Sequence, residues 1–162
     1  MDDLLSAITP VTRMHENVKA RLKAHAFFAD IPVLIYNQQD LDSEIDKALA
    51  TITGEGGHAG ACVLILPAKY AATHPDMEGP YFDNTEMVIR SCVNQLINNG
   101  DDGTKKQAVL IALMVAALLH HYREPGINEC FISESVLPFQ DSELDIWDTK
   151  IKTELGLKPI YS

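Results

Sequence analysis

Apolar residues recur at spacings of three and four at Val11, Met14, Val18, Leu22 and Ala26, which predicts an amphipathic helix. Thr9-Pro10 supplies an N-cap and a proline suited to the first helical position, and Asp30-Ile31-Pro32 ends the helix. Val33-Leu34-Ile35-Tyr36 reads as a short strand, with Pro32 at its first position. Asp40 heads a second helix whose apolar side carries Leu41, Ile45, Ala48 and Leu49. Gly54-Glu55-Gly56-Gly57-His58-Ala59-Gly60 is a flexible loop. The unbroken apolar run Ala61-Cys62-Val63-Leu64-Ile65-Leu66 then reads as a buried strand stopped by Pro67. Residues 69–80 show no period and read as an excursion.

In the second half, Thr85 to Ile97 alternates. Met87, Ile89, Ser91 and Val93 share one face; Glu86, Val88, Arg90, Cys92 and Asn94 share the other. A long, half-exposed strand with an antiparallel partner is expected there. Asn98-Asn99-Gly100-Asp101-Asp102-Gly103 is a turn cluster, and Thr104 is placed to cap a third helix running to about Tyr122, before Pro125-Gly126. That helix contains an apolar run from Ala108 to Leu119 with no polar residue until His120. A helix apolar on every side is expected to be buried on every side. One sheet covers one side only, so the other needs a second helix or a neighbouring subunit. Glu129 to Val136 reads as a strand closed by Leu137-Pro138. Trp147, Thr149, Ile151, Thr153 and Leu155 then alternate with Ile146, Asp148, Lys150, Lys152 and Glu154, the clearest period of two in the chain.

The order α-β-α-β-β-α-β-β defines an α+β class: one mixed, largely antiparallel sheet with about three helices packed on it. Without repeats or a low-complexity linker, residues 1–162 are expected to form a single domain, with 1–8 flexible. The longest apolar run is too short for a bilayer, which takes about 20 residues. Met1-Asp2-Asp3 lacks the basic and apolar regions of a signal peptide. Cys62, Cys92 and Cys130 are odd in number and widely spaced, as buried thiols in a reducing compartment would be. A soluble, intracellular protein is therefore expected.

The formal net charge is −10, so a basic footprint for nucleic acid is not expected. The charge is uneven. Glu124 to Glu154 holds eight acidic residues against Lys150 and Lys152, whereas Thr9 to Ala26 holds Arg13, Lys19, Arg21 and Lys23 against Glu16 alone. These are either two solvated faces or two ends that attract each other across a subunit contact.

No catalytic, metal or cofactor constellation emerges. The loop at 54–60 leads into a strand, lacks Gly-Lys-Ser/Thr and carries Glu55, so it does not fit phosphate. Gly100-Asp101-Asp102-Gly103-Thr104-Lys105 opens a helix but has the wrong spacing for a P-loop, and two aspartates would face the anion. His120 and His121 point about 100° apart on a helix and do not share one ion; they read as helix-end residues whose positive charge suits the dipole. His15 and His25 are ten residues apart, and His58 and His74 stand alone. Asp40, Asp42, Glu44 and Asp46 lack the glycine and terminal glutamate of a calcium loop. No GxSxG is present.

Taken in order, several segments resemble the tail terminator (tail completion) proteins of long-tailed bacteriophages. They are the first helix ending in Ala29-Asp30-Ile31-Pro32-Val33, the acidic Asp42-Ser43-Glu44-Ile45, and Gly60-Ala61-Cys62-Val63-Leu64-Ile65-Leu66-Pro67. Asn94-Gln95-Leu96-Ile97-Asn98-Asn99-Gly100, the helix Gln107 to His120 and the last strand follow. In many relatives the asparagine segment is closer to Asn-Pro-x-Ile-Asn-Arg-Gly, from which Gln95 and Asn99 depart. The likeness spans roughly Ala26 to Leu157.

The resemblance implies a non-enzymatic virion protein of the tail and neck, assembled in the host cytoplasm. It implies a hexameric ring that caps the head-proximal end of the tail tube, halts tube polymerisation and offers a docking surface to the head. Its partners would be its own copies, the tail tube protein and a head-completion or connector protein, with DNA passing through the lumen without specific binding and no membrane. The alternatives are another neck or connector protein, or, in a different class, a small ligand-binding domain or enzyme with a dispersed site.

Overall fold

The structure, a computed structural model, describes residues 2–36, 60–71, 81–101, 103–123, 130–140 and 144–156. The expected helix at Asp40–Leu49 and most of the glycine-rich loop lie outside these residues. Helix α1 (Asp2–Lys23) is followed by a 3-10 turn (Ala26–Phe28) and strands β1 (Val33–Ile35), β2 (Ala61–Ile65), β3 (Lys69–Ala71) and β4 (Tyr81–Val93). A one-turn helix α2 (Gln95–Asn98), helix α3 (Ala108–Leu119) and strands β5 (Ile132–Phe139) and β6 (Asp145–Gly156) complete the α+β fold. The strands form one mixed six-stranded sheet in the order β1-β2-β4-β6-β5, with β3 also paired to β4. Among the described residues β1 and β2 run parallel and the other pairs are antiparallel.

The alternation read from β4 and β6 sets the two faces. Thr85, Met87, Ile89, Ser91 and Val93 of β4, with Thr149, Ile151 and Thr153 of β6, are buried on the helix-bearing face. Helix α1 buries Met14, Val18 and Leu22, one side chain per turn, against that face. Helix α3 adds Ala108, Ile111, Val115 and Leu119 to the same core. On the far face a smaller buried cluster joins Leu34, Cys62, Leu64, Cys92 and Ile146. Strands β1 and β2 are thus buried on both sides, which explains their unbroken apolar runs. Cys62 lies directly opposite Cys92 in the register. The Cys92 thiol beside it, together with burial, pushes the Cys62 thiol far above its ordinary range.

Several boundaries differ from the sequence reading. Helix α1 starts at Asp2, so Thr9-Pro10 stands inside it instead of at its start. The acidic Asp2-Asp3 is itself a favourable N-terminus, and Leu4 and Ile8 carry the apolar spacing forward to Val11. Ala26, expected on the helical stripe, is exposed in the 3-10 turn. The helix closes through Lys23, whose ammonium donates to the carbonyls of Phe28 (2.8 Å), Ile31 (3.2 Å) and Ala29 (3.4 Å). Part of the expected excursion is strand β3, with Lys69, Tyr70 and Ala71 paired to Glu86, Thr85 and Asn84. Pro67 interrupts the chain between β2 and β3, but both stay on the same edge of β4. Strand β5 runs through Leu137-Pro138 to Phe139; as an edge strand it tolerates the proline.

The largest departure is at the asparagine segment. Strand β4 stops at Val93, and the Asn94 side chain accepts the Leu96 N–H (3.2 Å) as N-cap of α2. Asn98 is buried. Its Nδ2 donates to the Lys106 carbonyl (2.9 Å), its Oδ1 accepts the Thr104 hydroxyl, and its carbonyl accepts the Lys105 N–H (3.0 Å). Thr104 therefore buttresses Asn98 and does not cap α3, which begins only at Ala108. Gly60 (φ +65°) and Gly103 lie against this knot, where a Cβ would come within 2.3 Å of the Asn98 nitrogen and 2.1 Å of its oxygen respectively. Lys106 extends the knot to the 3-10 turn, donating to the Phe27 carbonyl (2.7 Å) and pairing with Asp30.

Asn98→Ala removes both side-chain bonds and strands the Lys106 carbonyl, so an urea melt is expected to show a loss of about 1–3 kcal/mol; an unchanged midpoint would mean the knot is not structural. A second expectation concerns His15, half-buried on α1 with Nε2 unpartnered among the described residues. Burial holds its pKa below the usual 6.5, against smaller opposing effects of the Leu66 backbone and Glu16. Above pH 6.5 the ring is neutral folded or unfolded; as pH falls below that, the unfolded chain takes up the proton first, so stability drops. His15→Leu should flatten the acid limb of a stability-versus-pH curve, and an unaltered limb would assign it elsewhere.

Candidate subunit-contact surfaces

His58, His74 and the acidic cluster at 40–46 lie outside the described residues. His25 caps the 3-10 turn, its Nδ1 accepting the Phe27 N–H (3.2 Å). His120 Nδ1 accepts the Ser133 N–H (3.1 Å), so the ring ties the end of α3 to β5. His121 has a left-handed backbone (φ 62°), and its Nδ1 lies 3.7 Å from Cys130 Sγ. Among the described residues no three His, Cys, Asp or Glu side chains are grouped to hold a metal ion. The segment likened to a P-loop is closed on itself. The N–H groups of Gly103, Lys105 and Lys106 are spent on the Gly100 carbonyl, the Asn98 carbonyl and Thr104 Oγ1.

Helix α3 has two apolar faces, and only one is covered. Ala108, Ile111, Ala112, Val115 and Leu119 point into the core. The small Ala112 lets the helix sit close to β6, where the buried Thr149 hydroxyl donates to the Ala112 carbonyl (3.0 Å). On the outer side, Leu110 and Leu113 are 44% and 51% exposed, Ala117 is exposed, and Met114 is half-buried at the margin. The expectation that α3 is buried on every side is thus not met within one chain. The sheet and α1 cover one stripe, and the outer stripe at i, i+3, i+4 and i+7 has no polar residue to meet water.

A second apolar surface lies on the far layer. In β5, Leu137 pairs with Asp148 and Phe139 with Ile146, which places both on the face away from the helices. They are 60% and 42% exposed. The Phe139 ring is held in place: the Arg90 guanidinium stacks 3.9 Å from its centroid and makes paired bonds to Asp148 (2.8 and 2.9 Å). Beside them Lys150 bridges Glu86 (3.0 Å) and Glu134 (3.3 Å), and Lys152 also reaches Glu134 (2.6 Å). These lysines hold the Glu134 carboxyl below the usual range.

The charge asymmetry of the two ends is therefore partly consumed within the chain. Glu134 and Asp148 are paired to lysine and arginine, and Glu124, Glu129, Asp141 and Glu143 lie outside the described residues. In α1, Lys23 is committed to carbonyls, while Arg21 donates to the Leu118 carbonyl (3.3 Å) and covers the Tyr122 ring (5.2 Å). Arg13 remains exposed.

No helix among the described residues is long and apolar enough to cross a membrane. Neither the models of known protein families nor the curated proteins give a match to the chain.

The two stripes of α3 make opposite forecasts. Val115→Glu places a charge in the core and should leave the chain unfolded, read by circular dichroism. Leu113→Glu should keep the folded spectrum; equal damage from the two would contradict the division of α3 into inner and outer faces.

Proposed function

We propose that the protein is a non-enzymatic assembly subunit of the tail-terminator kind, acting as a ring at the head-proximal end of a phage tail tube. The observation that carries this reading is the outer stripe of α3, an apolar surface presented to solvent by a well-packed small domain. Such a stripe calls for a protein neighbour. The ordered likeness to tail terminators names the assembly: a hexameric ring that stops tube polymerisation on one rim and receives the head-completion or connector protein on the other. The acidic chain suits a lumen through which DNA passes without adhering.

Light scattering coupled to size exclusion should give a mass several times that of the chain, and negative-stain images should show closed rings. Deleting the gene from its phage should yield overlong or unfinished tails with intact, filled heads. A monomer at high concentration, or leaking heads with normal tails, would remove this reading in favour of none or of a connector role respectively.

A further inference from the structure

Cys62 and Cys92 face each other across β2 and β4, in the interior of the sheet. On one side of them the Asn94 N–H donates to the Gly60 carbonyl (2.8 Å), and on the other the Leu66 N–H donates to the Val88 carbonyl (3.0 Å). Hydrogen-bonded and open pairs alternate along an antiparallel ladder, so Cys62 and Cys92, an even number of residues from both, are a hydrogen-bonded pair. Such a pair sets its Cα atoms about 5.5 Å apart, inside the range of roughly 4.4–6.8 Å that disulfides span. Both side chains leave the same face of the sheet, and the two thiols are in hydrogen-bond contact.

The pair is shut away from water. Cys62 is 0% and Cys92 3% exposed, packed with Leu34, Leu64 and Ile146. Cys130, the third cysteine, is partly exposed and belongs to a different place, beside His121. The fold thus holds two thiols in contact that an open chain would bring together only at the cost of closing the loop between them. Whatever the folded chain contributes to a bond between them, that bond returns to the folded chain as stability.

We infer that Cys62 and Cys92 are a redox latch: in an oxidising medium they close an intramolecular disulfide that fastens β2 to β4, and in a reducing one they remain thiols. The inference does not depend on the assembly reading above. The oxidant is a low-molecular-weight disulfide. One cysteine thiolate, uncovered by a transient opening of the far face, attacks a sulfur of that disulfide; its S–S bond breaks and one small thiolate leaves. The second cysteine thiolate then attacks the cysteine sulfur of the mixed disulfide and expels the other small thiolate. Two cysteine thiols are oxidised, one small disulfide is reduced to two thiols, and the cysteine protons pass to the leaving thiolates. Burial makes closure slow, so the latch answers a lasting change of surroundings and not a brief one.

Cys130→Ser leaves Cys62 and Cys92 as the chain's two cysteines. If that variant misfolds, alkylating the partly exposed Cys130 of the native protein with iodoacetamide serves the same end. Equilibrated with mixtures of oxidised and reduced glutathione, the protein should lose two hydrogens in mass and yield, after digestion, one cross-linked peptide joining Cys62 to Cys92. The equilibrium constant for closure should be about tenfold or more larger in buffer than in concentrated urea. The oxidised form should correspondingly melt about 3 °C or more above the reduced one, and Cys92→Val in the same background should abolish that shift. Glutathione adducts without a cross-link, thiols that stay reduced after equilibration, equal constants in buffer and urea, or an oxidised form that melts no higher would each overturn the latch.

Discussion

Helix α3 imposes the constraint to which the rest of the molecule answers. It has no side chain able to bond water along its whole length, so every exposed face costs free energy. The sheet covers one stripe, and it does so closely because Ala108 and Ala112 leave room for β4 and β6 to approach. Thr149 then uses that closeness, placing its hydroxyl on the Ala112 carbonyl where no water reaches. Moving one half-exposed leucine of the outer stripe out of water is worth about 1 kcal/mol. Covering two leucines and a methionine with a protein partner would add correspondingly more. The same stripe on an isolated chain is a liability.

Electrostatics works on a shorter scale than the net charge of −10 suggests. On the far face, Glu86, Lys150, Glu134 and Lys152 alternate across β4, β6 and β5. Each exposed pair contributes little by itself. Together they keep the middle of that face polar and confine its exposed apolar area largely to the β5 side. Charged side chains beside an edge strand also discourage indiscriminate strand pairing. The arginine of the group differs, since Arg90 orders an aromatic ring as well as a carboxylate.

Elements governed by one periodic signal were legible in the sequence, and those governed by contacts between distant segments were not. Strand β6 alternates in and out along its length, and its expected and observed limits differ by about one residue at each end. The α1 stripe Met14, Val18 and Leu22 was likewise legible. The two faces of α3 were not, because a helix whose every position is apolar has no phase, and only the neighbouring sheet selects Ile111 over Leu110. Strand β3 is three residues long, too short to show a period. The Asn98 knot draws on Gly60, Gly103, Thr104 and Lys106; in sequence the two glycines resemble loop material, and Thr104 and Lys106 resemble the start of a helix. Gly60 and Gly103 were the available signal, since both mark close backbone approach.

That knot also bears on how the outer surface of α3 is presented. Immediately before the helix, Lys106 accepts from Asn98 and donates to Phe27. Immediately after it, the left-handed His121 donates its N–H to the Phe131 carbonyl (2.8 Å), Phe131 returns a bond to Tyr122 (2.9 Å), and the two rings stack. Helix α3 is thus pinned at both ends to segments that belong to the core, and its axis is fixed relative to the sheet. A partner meeting Leu110 and Leu113 finds their backbone already ordered, so association need not supply that ordering. Phe139 is ordered by a separate device, the Arg90–Asp148 clamp. The two exposed apolar surfaces, on opposite layers, are thus each held rigid by buried or paired polar groups.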